Sequence, residues 1–147
     1  MSEAQKGAVP MRPRPLPDEA SEGYWQAANE GCLAIQRCQD CRRWNHAPSL
    51  NCPACGSGDL DFEKVSGEAT LFSWTVVHHS PGPGFAGKLP LLVGIVELAE
   101  QPHLLQVANL TGCSEGDLHL GMPLHVEFER IAEDCALPQF RATGGQG

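Results

Sequence analysis

The sequence lacks any long hydrophobic run. Its longest apolar stretch, Leu89–Val96, is interrupted by Pro90 and Gly94 and is far shorter than the ~20 apolar residues of a transmembrane helix. The first 17 residues are polar and contain no apolar segment typical of a secretory signal peptide. We therefore expect a cytoplasmic protein without membrane contact, in which the cysteines stay reduced and disulfides are disfavoured.

Positive charge is also scarce. The net charge is −8, and residues 59–147 hold twelve Asp/Glu but only four Lys/Arg. Since nucleic-acid affinity depends on neutralising phosphates, this part of the chain should repel polyanions. Phe72 and Trp74 share a face of a predicted strand, and aromatic rings on an OB barrel can stack bases. Because of the charge, we expect both rings in the core, and a nucleic-acid-binding module is only the alternative.

The sequence shows no nucleophile–base pair, carboxylate dyad, phosphate-binding loop or internal repeat. Catalysis by this chain alone is therefore poorly supported, and its standing as an enzyme stays uncertain.

Cysteine, by contrast, is present in a definite pattern. The stretch QRCQDCRRWNHAPSLNCPACGS contains two C-x-x-C pairs, Cys38/Cys41 and Cys52/Cys55, with ten residues between them. Two such turns bring four thiolates to the corners of a tetrahedron. A redox motif would be a single pair beside a βαβ unit, which is not indicated here. We predict one structural zinc per chain, although iron fits the same ligands.

The predicted zinc site is closed, because all four ligands come from the protein and no position remains for a catalytic water. Metal binding can supply the folding energy that a module of this size lacks. Gly56 is suited to a positive φ after the second pair. Arg42 occupies the equivalent position after the first, at a cost of about 1 kcal/mol if its φ is positive.

The remaining sequence predicts a mainly β protein. We expect residues 1–17 to be a proline-rich, flexible arm, and a helix should run from Asp18 to Glu30 and end at Gly31. Period-two patterns predict strands over 68–80, 91–99, 103–110, 124–130 and, less clearly, 58–66. Four or five strands with Gly/Pro turns suggest a small closed barrel. The predicted units are 1–17 (arm), 18–57 (helix and ribbon), 58–141 (barrel, with its own separate core) and 142–147 (tail).

The order of these segments resembles a known family. An aromatic helix precedes QRCQDC, which is followed by CPACGSGDLDFEKVSGEATLFSWTVVH, LLVGIVEL, GMPLHVEFE and LPQF. Together they resemble the zinc-ribbon plus OB-fold family of acyl-CoA-associated proteins, over roughly residues 16–141. The resemblance implies an N-terminal helix, a rubredoxin-like ribbon and a five-stranded OB barrel, with zinc ligands at Cys38, Cys41, Cys52 and Cys55. The sequence departs from the family pattern at Arg42, where a Gly is usual.

The resemblance also implies a role. Members of the family work as accessory or scaffold subunits beside a thiolase-fold or lipid-transfer-protein-like enzyme, including steroid side-chain aldolases, and share its acyl-CoA thioester substrate. A self-sufficient enzyme or thioester-binding protein is a further alternative. Since accessory subunits expose apolar surface that a partner covers, we expect a partner or ligand surface that includes the exposed rings of Tyr24, Trp25, Trp44 and Phe85, together with Lys88.

Overall fold

The computed structural model describes residues 13–79, 82 and 84–143, so most of the predicted arm and tail lies outside the described residues. Within these residues, one α-helix and eight strands follow one another: α1 (Glu22–Asn29), β1 (Ala34–Cys38), β2 (Trp44–Asn45), β3 (Leu60–Lys64), β4 (Glu68–Val77), β5 (Leu91–Leu98), β6 (Leu105–Thr111), β7 (Pro123–Ala132) and β8 (Cys135–Ala142). Within the described part of the chain, no helix is long and apolar enough to cross a bilayer. The residue limits of the arm, the helix and ribbon, the barrel and the tail remain a prediction.

Helix α1 begins four residues later than predicted. Asp18 does act locally, because its carboxylate accepts a hydrogen bond from the Ser21 N–H at 2.8 Å, but this contact closes a turn ahead of the helix. The predicted end is confirmed. Gly31 has a φ of 79°, and the N–H groups of Gly31 and Cys32 donate to the carbonyls of Ala28 and Ala27, the double bond pattern of a glycine-terminated helix.

The ribbon is a three-stranded sheet in the order β2-β1-β3. Strand β3, predicted as the first strand of the barrel region, pairs instead with β1, with Ala34 opposite Lys64 and Cys38 opposite Leu60. The prediction of a strand near 58–66 is therefore confirmed, but its place in a barrel is wrong. A period-two pattern gives no information on the partner strand, because pairing depends on the chain's path through the knuckles.

Strands β4 to β8 close into a barrel of the predicted OB type, in the order β4-β5-β6-β8-β7. The fifth strand is β8, which the sequence patterns did not predict. Its sequence CALPQFRA has no alternation and contains Pro138, and seven of its eight residues are buried or half-buried, on both faces. Pro138 lies opposite Phe128 on β7, and β8 pairs with β6 only at Leu110–Phe140 and Thr111–Arg141.

The prediction that Phe72 and Trp74 are core residues on one face of a strand is wrong. Leu71 lies opposite Val96 on β5 and Ser73 lies opposite Ile95, so Phe72 is the extra residue. Residues directly opposite each other lie on the same face of a sheet, so the bulge puts Trp74, opposite Gly94, on the face of Leu71 and leaves Phe72 on the other face. Phe72 and Trp74 are 42% and 37% exposed, whereas Leu71 is buried. Among the described residues, β5 is the only strand beside this half of β4.

The ribbon and the barrel share a single core, contrary to the expectation of a separate one. Tyr24, Ile35 and Trp44 from the helix and ribbon belong to the same cluster of buried side chains as Leu71 and Phe140 of the barrel. The helix is also tied to the barrel by a buried hydrogen bond of 2.6 Å from the Gln106 side-chain amide to the Tyr24 hydroxyl. Helix and ribbon therefore cover one side of the barrel and bury its apolar residues.

Candidate metal centre and interaction surface

The two C-x-x-C motifs form equivalent turns. In the first, the Arg42 N–H donates to the Cys38 carbonyl at 3.0 Å and the Cys38 N–H donates to the Arg43 carbonyl at 2.9 Å. In the second, Gly56 and Ser57 repeat this pattern around Cys52, at 2.8 Å for both bonds. Both turns require a left-handed residue after the second cysteine, and Arg42 and Gly56 have φ values of 66° and 82°. The expected strain at Arg42 is thus present.

The four cysteine sulfurs form a cluster of the right size for zinc. All four Sγ atoms lie within 4.8 Å of one another, with Cys38 and Cys55 at 3.6 Å and Cys41 and Cys52 at 3.7 Å. Four tetrahedral Zn–S bonds of about 2.3 Å require sulfurs about 3.8 Å apart. The cluster therefore fits one structural zinc ion, as predicted. Among the described residues, it is the only group of this kind.

Backbone and amide N–H groups prepare two of the sulfurs to bind a cation. The N–H of Cys41 points to the Cys38 sulfur at 3.4 Å and lowers the pKa of Cys38. Burial alone would raise the pKa of Cys52, but N–H groups from Cys55 and Ala54 and the Asn45 amide outweigh it and lower that pKa to about 6. Hydrogen bonds that favour the charged form act in this way.

The fourth sulfur shows why a cation is needed. The Ser57 N–H would lower the pKa of Cys55, but the neighbouring sulfurs of Cys38, Cys41 and Cys52, together with burial, raise it to about 12. Four adjacent thiolates repel one another, so a metal-free site retains protons. A divalent metal removes this repulsion, which is the chemistry that four thiolate ligands supply to a structural zinc site.

A carboxylate of β3, Glu63, pairs with two arginines of the ribbon. One of them, Arg42, directly follows the first knuckle. Arg42 and Arg37 each lie 3.4 Å from the Glu63 carboxylate. The Gln39 amide, the strongest influence, and these two guanidinium groups lower the pKa of Glu63. The Glu63 side chain of β3 thus holds both arginines in place on the ribbon.

Two of the predicted surface aromatics are buried. Tyr24 is 6% exposed and Trp44 is 8% exposed, so the expectation that these rings are exposed is wrong. Trp44 lies on β2, opposite Arg37 of β1, and the Arg37 guanidinium covers its ring at 4.5 Å from the centroid. The short inter-knuckle loop does not bury this ring by itself. The barrel does, through the shared core.

Trp25 and Phe85 meet in one groove. Both are half-buried, and the groove of about 270 Å³ that they line lies between α1, the loop before β5, and the adjoining strands β6 and β8. Val107, 66% exposed, Leu137 and Pro138 supply the rest of its apolar wall. We call these five residues the apolar groove. None of these three residues was predicted as part of the surface. Val107 lies on a predicted strand, β6, but its exposure was not foreseen, and the two β8 residues were missed because β8 itself was not recognised.

Lys88 lies next to this region but faces a different cleft. It forms an ion pair of 3.7 Å with Glu129 of β7 and lines a cleft of about 580 Å³ together with Cys113, Glu127 and Gln139. Gln139 donates to Glu129 at 3.1 Å and accepts from the Asn109 N–H at 2.7 Å. The ion pair therefore ties the loop before β5 to β7, and Gln139 of β8 connects the same carboxylate to β6.

Comparison with known proteins supports both parts of the fold, the zinc ribbon and the barrel. Residues 25–61 match the family model described as the ChsH2 rubredoxin-like zinc ribbon domain, and residues 62–129 match the ChsH2 C-terminal OB-fold domain. A DUF35 domain-containing scaffold protein of Methanocaldococcus jannaschii is 30% identical over 122 residues, which cover 81% of this chain and 84% of that protein. The chain belongs to the DUF35 family.

Solved structures agree with this membership. The DUF35 chain superimposes on a chain of the Ltp2-ChsH2(DUF35) aldolase with a TM-score of 0.80 and 34% identity, over 88% of this chain and 98% of that one. A DUF35-family protein from Sulfolobus solfataricus shares the fold with a TM-score of 0.56 at 12% identity.

A longer relative contains a region similar to most of this chain. The probable enoyl-CoA hydratase alpha subunit of Thermomonospora curvata is 36% identical over 131 residues, or 89% of this chain. The matching region spans only 40% of the length of that protein.

Proposed function

We propose that this chain is an accessory, scaffold subunit of an acyl-CoA-processing complex. Its partner is a thiolase-fold or lipid-transfer-protein-like enzyme, with a steroid side-chain aldolase as the first candidate, and the two share an acyl-CoA thioester substrate. The observation that carries the proposal is the similarity to nearly the whole of one chain of the Ltp2-ChsH2(DUF35) aldolase. The scaffold protein of M. jannaschii supports the same role.

The chemistry of the metal centre is consistent with a subunit that supports a partner enzyme. Four cysteines take all four positions of a tetrahedral zinc site, so a bound zinc supplies folding energy to the ribbon and has no free position for substrate. In the proposed complex, carbon–carbon bond chemistry belongs to the partner enzyme. This chain contributes its folded surface and, with that surface, a wall of the substrate path.

We assign partner contact to the apolar groove. Trp25 and Phe85 are both only half-buried, and the groove beside Val107 is open to solvent. Aromatic anchors in such grooves often contribute about 2 kcal/mol or more each to binding. Lys88 borders the neighbouring cleft and is the cation of the loop that carries Phe85.

A second candidate partner is an enoyl-CoA hydratase. The T. curvata hydratase alpha subunit resembles this chain over 89% of its length, and that observation favours a module that serves hydratases as well. Both candidates act on acyl-CoA substrates. They differ in the reaction that depends on this chain, so activity measurements distinguish them.

The test is co-purification from the native host, followed by binding of the isolated components. We expect a thiolase-fold enzyme to co-purify and its activity on acyl-CoA to depend on this chain. Trp25→Ala and Phe85→Ala should each weaken association by about 30-fold, the equivalent of about 2 kcal/mol, with unchanged zinc content. Leu120→Ala is the matched control, because Leu120 is 70% exposed and does not line the groove.

The outcomes separate the parts of the proposal. Absence of any thiolase-fold partner refutes the aldolase assignment, and recovery of a hydratase in its place supports the second candidate. Unchanged affinity in both aromatic variants refutes the groove assignment alone. Turnover of CoA thioesters by the purified chain without a partner would show a self-sufficient enzyme.

A further inference from the structure

Strand β4 has a free edge along its second half. Its first three residues pair with β7, from Glu68 opposite His125 to Thr70 opposite Pro123. Leu71 then exchanges backbone hydrogen bonds with Gly121 and Met122, at 2.8 and 3.0 Å. From Phe72 to Val77, β5 is the only strand that pairs with β4 among the described residues. This barrel therefore carries an open strand edge six residues long.

The register shows which backbone groups face the open side. After the bulge, Trp74 lies opposite Gly94, Thr75 opposite Val93 and Val76 opposite Leu92. Backbone groups of an antiparallel strand alternate between its two neighbours, and a bulge places its two residues toward the same partner strand. Thr75 therefore directs its N–H and C=O to β5. Trp74 and Val76 direct theirs away from β5, where each N–H and C=O is available to a further strand.

This edge is not protected in the way that edge strands usually are. Natural sheets place charged residues or proline on such edges to prevent pairing with other chains. The segment from Phe72 to Val77 contains neither, and the bulge at Phe72 affects only the start of the open part. Four of its six residues are exposed and the other two are half-buried. A strand that covers this edge must itself be uncharged, because it lies beside Phe72 and Trp74.

We propose that this edge pairs with the same edge of a second copy of the chain, antiparallel, with Thr75 on the two-fold axis. In this register Trp74 lies opposite Val76 of the second copy, and the four groups that each copy directs outward are used in four hydrogen bonds between the copies. The pair is self-complementary, as a two-fold interface requires. An aromatic ring opposite a β-branched side chain is a favourable cross-strand pair.

Charge favours this occupant despite the net charge of −8. The charged residue of β4 is Glu68, at the far end of the strand. In the proposed register the two Glu68 residues are fourteen positions apart, or roughly 45 Å, which greatly exceeds the Debye length of about 8 Å at physiological salt. An unrelated partner would need an exposed, uncharged strand of its own, whereas a second copy of this chain already has one. The inference does not depend on the proposed function.

Cysteine cross-linking tests the register. Residues in a non-hydrogen-bonded antiparallel pair have Cα atoms about 4.5 Å apart, within the range that a disulfide bridges. Thr75→Cys should therefore form a disulfide-linked dimer under oxidised glutathione. Ser73→Cys is the matched control, because the two Ser73 positions are four residues out of register and about 13 Å apart. The wild-type chain corrects for cross-linking by its native cysteines.

Sedimentation equilibrium tests the dimer without a cross-link. The full-length wild-type chain should show a concentration-dependent dimer, and Thr75→Lys should raise its dissociation constant at least ~5-fold, because like charges then lie directly opposite each other. Thr70→Lys, on the part of β4 that pairs with β7, should have no such effect.

Three results would overturn the proposal: a wild-type chain that stays monomeric, equal cross-linking of the two cysteine variants, or a dimer that Thr75→Lys leaves intact. If the wild-type chain is monomeric but Thr75→Lys prevents assembly with an enzyme partner, that partner's strand occupies the edge instead.

Discussion

Gln101 holds Trp44 by both of its backbone groups. The Trp44 N–H donates to the Gln101 side-chain carbonyl at 3.0 Å, and the Gln101 side-chain amide donates to the Trp44 carbonyl at 3.0 Å. One side chain from the turn between β5 and β6 thus imitates a paired strand for β2 of the ribbon. The contact joins two units that are 57 residues apart in the sequence.

We expect Gln101→Leu to lower the free energy of unfolding by about 1–3 kcal/mol, because both backbone groups of a buried residue lose their partners. Zinc content should stay at one per chain, since no ligand changes. Urea unfolding measures the loss. Gln26→Leu, on the exposed side of α1, is the control for replacing an amide side chain by an apolar one. Equal stability of the two variants would show that the contact is not stabilising.

The buried bond between Gln106 and Tyr24 predicts a non-additive mutant pair. Tyr24→Phe leaves the Gln106 amide buried without its acceptor, at a cost of about 1–3 kcal/mol, whereas replacing both partners by apolar groups is closer to neutral. The double variant Tyr24→Phe/Gln106→Met should therefore be more stable than Tyr24→Phe alone. Thermal or urea unfolding of the four members of the cycle decides this, and strictly additive losses would contradict it.

Tyr24 also predicts alkaline sensitivity. Burial raises the pKa of Tyr24 well above its ordinary value of 10.0, so the unfolded state loses the phenol proton first. The stability that depends on a neutral phenol is complete below pH 10 and falls as pH rises above it. Because the chain has one tyrosine, tyrosinate absorbance reports on Tyr24 alone and should appear only with unfolding. A reversible titration near pH 10 in the folded state would disprove burial of the hydroxyl.

The positive φ of Arg42 can be measured separately from its ion pair. Arg42→Gly and Arg42→Ala both remove the contact with Glu63, but only glycine relieves the left-handed backbone. We expect the glycine variant to be more stable than the alanine variant by about 1 kcal/mol. Urea unfolding of the zinc-loaded proteins gives the difference, and an alanine variant of equal or greater stability would argue against strain at this position.

The metal centre predicts one zinc per chain by elemental analysis. Acid should release the metal, because protons compete with zinc for the four sulfurs as pH falls. Cys52→Ser or a strong chelator should destabilise the barrel together with the ribbon, since Trp44 and Ile35 belong to the core of both. Circular dichroism and zinc release should therefore change in one transition. A barrel that stays fully stable after zinc removal would show that the shared core contributes little.

The amino-acid sequence by itself determined the metal centre. Two C-x-x-C turns fold by local backbone bonds, and Gly56 and Arg42 take the positive φ that each turn requires, so spacing alone identified the four ligands. It also determined the glycine end of α1 and the strands β4 to β7, because a glycine stop and period-two alternation are local properties.

Only the tertiary structure decided which surfaces are buried and which strands pair. Strand β8 has no alternation because neighbours cover both of its faces, and β3 joined the ribbon through the path of the knuckles. Trp44 was expected on the surface and is buried, while Phe72 and Trp74 were expected in the core and are exposed. In each case the outcome depends on a distant element. The barrel lies beneath Trp44, whereas β7 pairs with β4 only up to Thr70 and leaves the strand beside Phe72 and Trp74 with β5 alone among the described residues. Burial is a property of the assembled chain, because the groups that cover a residue can come from any part of the sequence.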